Sequence, residues 1–473
     1  MRRLLAVPAA VAALLCAGVL PGAARAGTVP SAPAVEPVLL GADGSVAPRD
    51  SRPRAEISMA VDPHDPRRVA LVAIQFGQTL VQARTQSPYV AYDEVWTSRD
   101  GGRTFRDAGP LPPLGRSGGS NDPTLAWDPK GPLYASYTAF THPSGADAPQ
   151  DGLYVARSDD GGATWRRSSL IEGFHCEGPD RSTVAVDPRR GWVYVAWTHY
   201  GQSSCSSSAP DPTRTQLRWS RSTDGGRTFS RPVIATRGGE SAQVAPAVLP
   251  DGTLVTLHSV AGSAAALNGD CQYPTSVVAT RWAADGRRLS RSVAMVTCDN
   301  GAGLSTNGAT FVPIRFPSVS VDPLSGQLLA SMPSVGALSG VMTAVSGDGG
   351  RSWTSQLVTG LPGSEASMAT VSVGGDHRAA LAWLELEPAG VYRPVLAGSA
   401  DAGRSWSAPV PVASVPSLAE GRPFSPLDRY SIGHYLGAVV GNDRVAHLGW
   451  PDIRPDPGRP NEPDVYVRSA ALG

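Results

Sequence analysis

The sequence predicts an all-β fold, a β-propeller, and three observations lead to this prediction. An eight-residue pattern, Ser-x-Asp-x-Gly-x-Thr/Ser-aromatic, occurs five times; we call it the repeated box, and its copies begin at Ser98, Ser158, Ser222, Ser346 and Ser399. Neighbouring copies are about 60 residues apart except across one interval of twice that length, and such a period indicates an array of like units. Short β-branched and aromatic runs bounded by Gly, Pro and Asp lie between the boxes, which is typical of strands.

Each unit is predicted to contain four strands, with the box in the turn between the third and the fourth. In one unit the run 182–186 ends in an Asp-Pro turn, the run 193–197 is rich in Val, Tyr and Trp, and the run 231–235 follows the box. A degenerate copy of the box at 283–289 fills the long interval, so six units carry a box or its remnant. Four-stranded units in tandem suit a propeller, because radial closure leaves only short sheet edges.

The two ends of the chain predict the number of blades. Three more strands are expected at 435–440, 445–450 and 464–469, and the chain stops where their box would begin. Residues 36–40 copy the strand that follows a box, yet no box precedes them. We therefore predict that this N-terminal strand completes the last blade and closes a ring of seven four-stranded blades. A six-bladed ring is the alternative.

The boxes resemble the Asp boxes, or BNR repeats, of the sialidase superfamily, and the resemblance covers nearly the whole chain after its first residues. In that family the box is structural and lies on the face opposite the ligand pocket. The chemistry of the pattern agrees, because a short Asp side chain can accept hydrogen bonds within its own turn and glycine permits positive φ. With one carboxylate in each turn, calcium binding is the minor interpretation.

The N-terminal residues predict export. Residues 1–26 combine early arginines with an apolar run and a small-residue pattern ending at Ala26, which is typical of a cleaved secretory signal peptide. Residues 27–55 are expected to be a tether that includes the closing strand, and 56–473 the propeller. The 41 basic and 41 acidic residues balance, which gives no reason to expect nucleic acid or an anionic membrane as a partner. We expect a secreted monomer that binds a glycan, without membrane insertion and without a cofactor.

Four of the five cysteines lie beyond the predicted signal peptide, and an even number in an exported protein favours disulfides. The propeller topology puts all four in links and loops on the face opposite the boxes. We predict the pairs Cys176–Cys205 and Cys271–Cys298, with Cys205–Cys271 as the competing pairing. A zinc site is less favoured, because no Cys-x-x-Cys spacing accompanies these residues.

Alignment of the first strands predicts which side chains reach the central mouth on that same face. The position six residues before the Asp-Pro turn, which we call the entrance position, holds in successive blades Glu56, Asp122, Arg181, Gln243, Phe316, Met368 and Tyr435. The position before it holds Ala55, Asn121, Asp180, Ala242, Arg315, Ser367 and His434. Later positions in these strands are apolar or small, so the charged entrance residues are candidates for a site. Because the ring closes, the last blade brings Tyr435 beside Glu56 of the first.

The resemblance implies a chemistry for this group. Sialidases use a tyrosine nucleophile; in that family a glutamate assists it, an aspartate is the acid/base and three arginines hold the substrate carboxylate. A phenol needs such a neighbouring base to act as a nucleophile at neutral pH. The implied catalytic residues are Tyr435, Glu56 and Asp122. The implied substrate-binding residues are Asp180, Arg181, Arg315 and His434, together with a second candidate group that contains Arg429 and Tyr430. The alternative is that charges at the rim of a channel are hydrated or paired with one another.

The sequence also departs from the sialidase pattern. Active members carry an Arg-Ile-Pro motif before the first box, which this chain lacks, and residues 313–317 hold similar letters in another order. Asp452 and Arg454 could lie near the mouth or form a salt-bridged corner. Three function classes stay open: a secreted exo-acting glycoside hydrolase of the sialidase type, a non-catalytic propeller that binds glycans or a protein, and a different extracellular enzyme on the same scaffold.

Overall fold

The computed structural model describes residues 35–473 except for the segments 49–51, 77–90, 116–117, 142–147, 175–176, 202–212, 237–242, 262–270, 272, 300–303, 307–308, 312–314, 336–338, 388–389, 419–431 and 455–462. Within the described residues every regular element is a β-strand, and seven antiparallel sheets of four or five strands account for nearly all of them. The first strands of successive sheets contact one another, and the first strand of the last sheet contacts that of the first. The sheets therefore close a ring, and the predicted β-propeller is confirmed.

Blades 1 to 4 are numbered along the chain. Blade 1 contains Arg54–Val61, Val69–Phe76, Ala91–Ser98 and Arg106–Pro110. Blade 2 contains Gly119–Trp127, Leu133–Phe140 and Gly152–Ser158, with an outer edge made by Arg166–Arg167 and Glu172–Gly173. Blade 3 contains Gly178–Val186, Val193–Tyr200, Gln216–Ser222 and Val233–Ile234. Blade 4 contains Ala245–Val248, Leu254–Ala261, Tyr273–Trp282 and Arg288–Asp299.

Blades 5 to 7 follow a small hairpin formed by Leu304–Thr306 and Ala309–Phe311. Blade 5 contains Ser318–Val321, Leu328–Ser334, Gly340–Ser346 and Thr354–Val358. Blade 6 contains Glu365–Val373, Ala379–Glu387 and Val391–Ser399, with an outer edge made by Val410–Pro411 and Ser417–Leu418. Blade 7 contains Gly437–Val440, Val445–Asp452, Asp464–Leu472 and the N-terminal strand Pro37–Ser45.

The N-terminal strand closes the ring as the sequence predicted. It pairs antiparallel with the third strand of blade 7, from Pro37 opposite Leu472 to Ser45 opposite Tyr466, with a register shift in the middle. The strand continues beyond the predicted residues 36–40. The six-bladed alternative is therefore wrong.

Each intact box is a turn held together by its own side chains. In the first copy the Ser98 hydroxyl donates to Asp100 Oδ1 (2.8 Å) and accepts from the Gly102 N–H (2.9 Å). Asp100 also accepts from the Thr104 N–H (3.0 Å) and from the Thr104 hydroxyl (2.6 Å). Burial raises the pKa of Asp100, but the bonds from Thr104 and Ser98 outweigh it and lower that pKa to about 2. The box is thus a self-contained structural turn between the third and fourth strands.

The boxes also fasten neighbouring blades. A Cβ placed on Gly162 of blade 2 would lie 2.9 Å from the Thr97 side chain of blade 1, and one on Gly226 of blade 3 would lie 3.0 Å from the Tyr134 ring of blade 2. Both glycines have positive φ. Only glycine fits this contact without displacing the blade beneath it.

Side-chain hydroxyls link the inner strands of adjacent blades. Ser58 Oγ accepts from the Leu125 N–H (3.0 Å), and Thr124 Oγ1 accepts from the Val184 N–H (3.1 Å). The same link recurs from Ser318 to Val371 and from Ser372 to Val440. The innermost strand of a blade is a sheet edge whose N–H groups need partners. These hydroxyls supply them across the blade boundary.

The structure describes one of the two predicted disulfides. Cys271 and Cys298 form the predicted disulfide, with their Cα atoms 5.6 Å apart, which excludes the competing Cys205–Cys271 pair. Cys176 and Cys205 lie outside the described residues, so their pairing stays a prediction.

Arg454 Nη2 lies 2.6 Å from both Asp452 and Asp43. Of the two interpretations of Arg454, the salt-bridged corner is therefore the observed one, and it joins the N-terminal strand to the rest of blade 7.

Candidate functional site

Four of the seven entrance residues have a left-handed backbone. The φ angles are 55° for Glu56, 56° for Asp122, 50° for Arg181 and 54° for Met368. In each of these first strands the pairing with the second strand shifts at the same place, which is a β-bulge. Bulges re-aim side chains, and a left-handed conformation costs an L-residue about 1–2 kcal/mol. Strain of this kind concentrates at functional sites.

Glu56 of blade 1 contacts His434, which lies shortly before the first strand of blade 7. Its Oε1 lies 2.5 Å from His434 Nδ1, and the Glu56 residue is 5% exposed. Burial raises the pKa of Glu56, but the charge and hydrogen bond of His434, a hydrogen bond with Asp122 and the charge of Arg181 lower it below its ordinary value. Glu56 is therefore an ionised carboxylate within a buried cluster. The expected meeting of the first and last blades at the mouth is confirmed.

Asp122 lies between two other carboxyl groups. Its carboxyl group interacts with those of Glu56 and Asp180. Burial, followed by the charges of Asp180 and Glu56, raises the pKa of Asp122 well above its ordinary value. Carboxyl groups this close share protons rather than ionising together. Burial and like charge therefore favour the protonated form of Asp122.

Arg181 supplies the positive charge on this side of the mouth. Its Nη1 donates to the Tyr200 hydroxyl (2.8 Å), and its Nε lies 3.9 Å from Asp180 Oδ2. The guanidinium lies over the Phe316 ring at 5.0 Å, and that ring is 6.2 Å from the ring of His434. Contacts thus run from Arg181 of blade 3 through Phe316 to His434, just before blade 7.

Tyr435 belongs to the same group but not in the expected contact. Its hydroxyl donates to the Pro123 carbonyl oxygen (3.4 Å). Burial of the hydroxyl, followed by the charges of Glu56 and Asp122, raises the pKa of Tyr435 well above its ordinary value. The structure therefore brings Tyr435 close enough to the carboxyl cluster to be influenced by it, with its proton directed elsewhere.

A narrow channel continues below the mouth. It encloses about 240 Å³, and its upper end is lined by His434, Tyr435, Gln243, Phe316 and Met368. Further down, the inter-blade hydroxyls of Ser58, Thr124, Ser318 and Thr370 line it. The entrance positions of blades 7, 1, 2 and 3 are thus ionisable, and those of blades 4, 5 and 6 are uncharged, with Arg315 directly before the entrance position of blade 5.

Three predicted site residues remain: Arg315, Arg429 and Tyr430. Arg315 is half-buried next to Phe316. Arg429 and Tyr430 lie outside the described residues, so the second candidate group stays a prediction. Within the described ranges, no three or more His, Cys, Asp or Glu side chains are arranged to hold a metal ion. The same ranges contain no helix long and apolar enough to span a membrane.

Two neighbours of the cluster escaped the strand alignment. Asp93, in the third strand of blade 1, is fully buried, and burial with the charge of Glu56 raises its pKa well above the ordinary value. Tyr200 ends the second strand of blade 3 and binds Arg181. Neither lies on a first strand, so the alignment did not include them. The signal available for Asp93 was the pair of adjacent carboxyl residues Asp93 and Glu94 within one strand.

Comparison with known proteins gives limited matches. No protein-family model matches the sequence. A sialidase from Micromonospora viridifaciens is 30% identical over 122 residues, which are 24% of this chain and 18% of that protein. This chain thus matches less than a fifth of the length of that curated relative. The local match agrees with the resemblance carried by the boxes and with the seven blades described above. The chain is a sialidase-like β-propeller.

Solved structures with a similar backbone are distant in sequence. A Hadza microbial sialidase is 14% identical with a TM-score of 0.45, covering 94% of this chain and 98% of that one. A GH93 α-L-arabinofuranosidase of Fusarium graminearum, solved with arabinobiose, is also 14% identical; its TM-score is 0.46, and the match covers 75% of this chain and 94% of that one.

Proposed function

We propose that this sialidase-like propeller is a secreted, glycan-directed protein that hydrolyses a terminal glycosidic bond at the mouth. The observation that carries the proposal is the buried pair of Glu56 and Asp122 beside Tyr435, in which His434 Nδ1 lies 2.5 Å from Glu56 Oε1 and burial raises the pKa of Asp122 above its ordinary value. Glycoside hydrolysis needs an acid that holds its proton at working pH beside a group that stays ionised. Residues 1–26, with their signal-peptide pattern, support secretion.

Each group has one role in the proposed reaction. Asp122 donates its proton to the leaving oxygen while the Tyr435 oxygen attacks the anomeric carbon, and Glu56 accepts the phenolic proton. Water then attacks the anomeric carbon and releases the sugar; the Asp122 carboxylate takes a proton from that water, and the leaving Tyr435 oxygen regains its proton from Glu56. Asp180, Arg181, Arg315 and His434 would bind and orient the sugar.

The close contact of the carboxyls favours a separate nucleophile. In retaining glycosidases the acid and a carboxylate nucleophile stand about 5–5.5 Å apart, so that the bond lies between them. Glu56 Oε1 is held by His434 Nδ1 at 2.5 Å, and its carboxyl interacts with that of Asp122 inside the same buried cluster. This proposal therefore assigns the attack to Tyr435 and the proton acceptance to Glu56.

A second candidate, a non-catalytic glycan-binding propeller, is favoured by the state of Tyr435. Its hydroxyl donates to Pro123 rather than to Glu56, and its pKa is raised. A phenol in that state is a weak nucleophile. Catalysis would require the hydroxyl to turn from Pro123 toward Glu56, whereas binding would not.

Hydrolysis of fluorogenic glycosides distinguishes the two candidates. The secreted protein would be incubated with a sialoside and with neutral aryl glycosides, beside the variants Asp122→Asn and Tyr435→Phe. The catalytic proposal expects turnover by the wild type and a loss of about 100-fold or more in each variant. A matched control, Asp285→Asn, changes an exposed carboxyl on the box face and should keep full turnover. No turnover by the wild type, with retained glycan binding, would leave the second candidate.

A further inference from the structure

The charges at the mouth restrict the kind of sugar that fits there, an inference that rests on the proposed function. A carboxylated sugar needs a cation that is free to form a charge-assisted or bidentate hydrogen bond with it. Arg181 is the cation placed inside the cluster, and it already has neighbours in three directions. Its Nη1 binds Tyr200, its Nε side faces Asp180, and its flat face lies over Phe316.

The acidic groups next to Arg181 add a cost for any further negative charge. Glu56, Asp122 and Asp180 come from the first strands of three neighbouring blades and interact through their charges, and we call them the carboxyl row; the buried Asp93 lies close enough to Glu56 to feel its charge. A substrate carboxylate beside Arg181 would meet this row within a partly buried site. Like charges at such separations repel strongly where water is excluded.

The same row suits hydroxyl groups. Carboxylates accept hydrogen bonds from sugar hydroxyls, and a neutral carboxyl both donates and accepts. Across the mouth, the upper channel is lined by Gln243, Phe316 and Met368, which carry no charge.

We propose that the mouth takes a terminal sugar without a carboxylate group. Its hydroxyls would bind the row formed by Glu56, Asp122 and Asp180, and its apolar face would contact the Phe316 side of the mouth. The departure from a sialidase is then one of substrate charge, and it agrees with the missing Arg-Ile-Pro motif.

Matched sugar pairs test this inference. Glucose and glucuronate, galactose and galacturonate, and a panel of neutral pentoses beside N-acetylneuraminate would be titrated against the full secreted protein by ligand-observed NMR. We expect the neutral member of a pair to bind at least about tenfold more tightly than the acid. Asp180→Asn should narrow that ratio by removing part of the repulsion, and Asp285→Asn on the box face should leave it unchanged.

The possible results separate the inference from the proposed function. Tighter binding of the acids, or of N-acetylneuraminate, would overturn the inference while the proposed glycan-directed function stands. Binding of no sugar by the wild type would overturn the proposed function and this inference with it. A ratio that Asp180→Asn and Asp285→Asn change equally would also overturn the inference, because the repulsion would then not come from the row of carboxyls.

Discussion

The Arg54 guanidinium lies 2.8 Å from the Asp464 carboxylate across the seam where the first and last blades meet. The two side chains are 0% and 3% exposed. Arg54 precedes the entrance residue Glu56 by two positions, and its Nε also donates to Gln75 (2.7 Å). Ring closure and the charged side of the mouth are thus held at the same place. Breaking a buried ion pair leaves one charge without its partner, which is costly.

Asp464→Ala is therefore expected to lower the free energy of unfolding by about 3–5 kcal/mol. The double variant Arg54→Met/Asp464→Leu should recover most of that loss, because it removes both charges and keeps the buried volume. Urea denaturation followed by tryptophan fluorescence measures both. A loss below about 1 kcal/mol in the single variant would contradict the buried pair.

The hydroxyl links between blades predict a contrast between two threonines in equivalent positions. Thr124 Oγ1 accepts from the Val184 N–H and contacts Ser136 Oγ, whereas the buried Thr183 Oγ1 has no hydrogen-bond partner in the described part of the chain. Thr124→Val should cost about 1–3 kcal/mol, since it leaves a buried N–H unsatisfied. Thr183→Val should be near neutral. Equal losses in chemical denaturation would show that shape, not hydrogen bonding, decides the effect.

The sequence predicted the fold well because the fold is repeated. Each box supplies its own hydrogen bonds, so a short local pattern is sufficient to place the turn between two strands. The closing strand was also predictable, since residues 36–40 copy a strand that lacked a sheet. The continuation of that strand to Ser45, past its register shift, depends on pairing with Asp464–Leu472 and had no local signal.

The sequence predicted which residues lie at the site but not which contacts they make there. Aligning first strands brought Glu56, Asp122 and Arg181 together, and the structure places all three in one cluster. The direction of the Tyr435 hydroxyl depends on the carbonyl oxygen of Pro123, which a neighbouring blade supplies. The left-handed φ of the entrance residues also had no sequence signal, because none of them is glycine. A contact between blades decides the first feature, whereas the second accompanies the β-bulge between the first and second strands of one blade.

The intact and degenerate boxes give a graded prediction. Asp100 accepts from Ser98, from the Arg103 N–H and from Thr104 through two atoms, whereas Asp285 accepts from the Arg287 N–H alone among the described contacts. Asp100→Ala should cost about 2–3 kcal/mol and Asp285→Ala less than about 1 kcal/mol, in line with the number of bonds lost. Thermal unfolding of the two variants provides the comparison. Equal effects would mean that the box carboxylate is not the stabilising group.

Glu94 is buried in the third strand of blade 1, and its pKa is raised. We therefore expect the protein to lose stability as the pH rises. Burial, followed by a hydrogen bond with Asp107 and repulsion from it, raises the pKa of Glu94 from 4.5 to about 8, against the opposing charges of Arg52 and Arg54. The native state therefore binds this proton more tightly than the unfolded chain does, so stability falls as the pH rises from 4.5 toward 8.

Glu94→Gln replaces this carboxyl group with an amide that does not titrate. Between about pH 5 and about pH 8 the wild type should lose about 2 kcal/mol more than the variant. Urea denaturation at several pH values measures the two slopes, and the exposed Glu36→Gln is the matched control, expected to follow the wild type. Parallel curves for wild type and Glu94→Gln would mean that Glu94 is ionised in the native state, since only a proton held more tightly by the folded protein makes stability fall over this range.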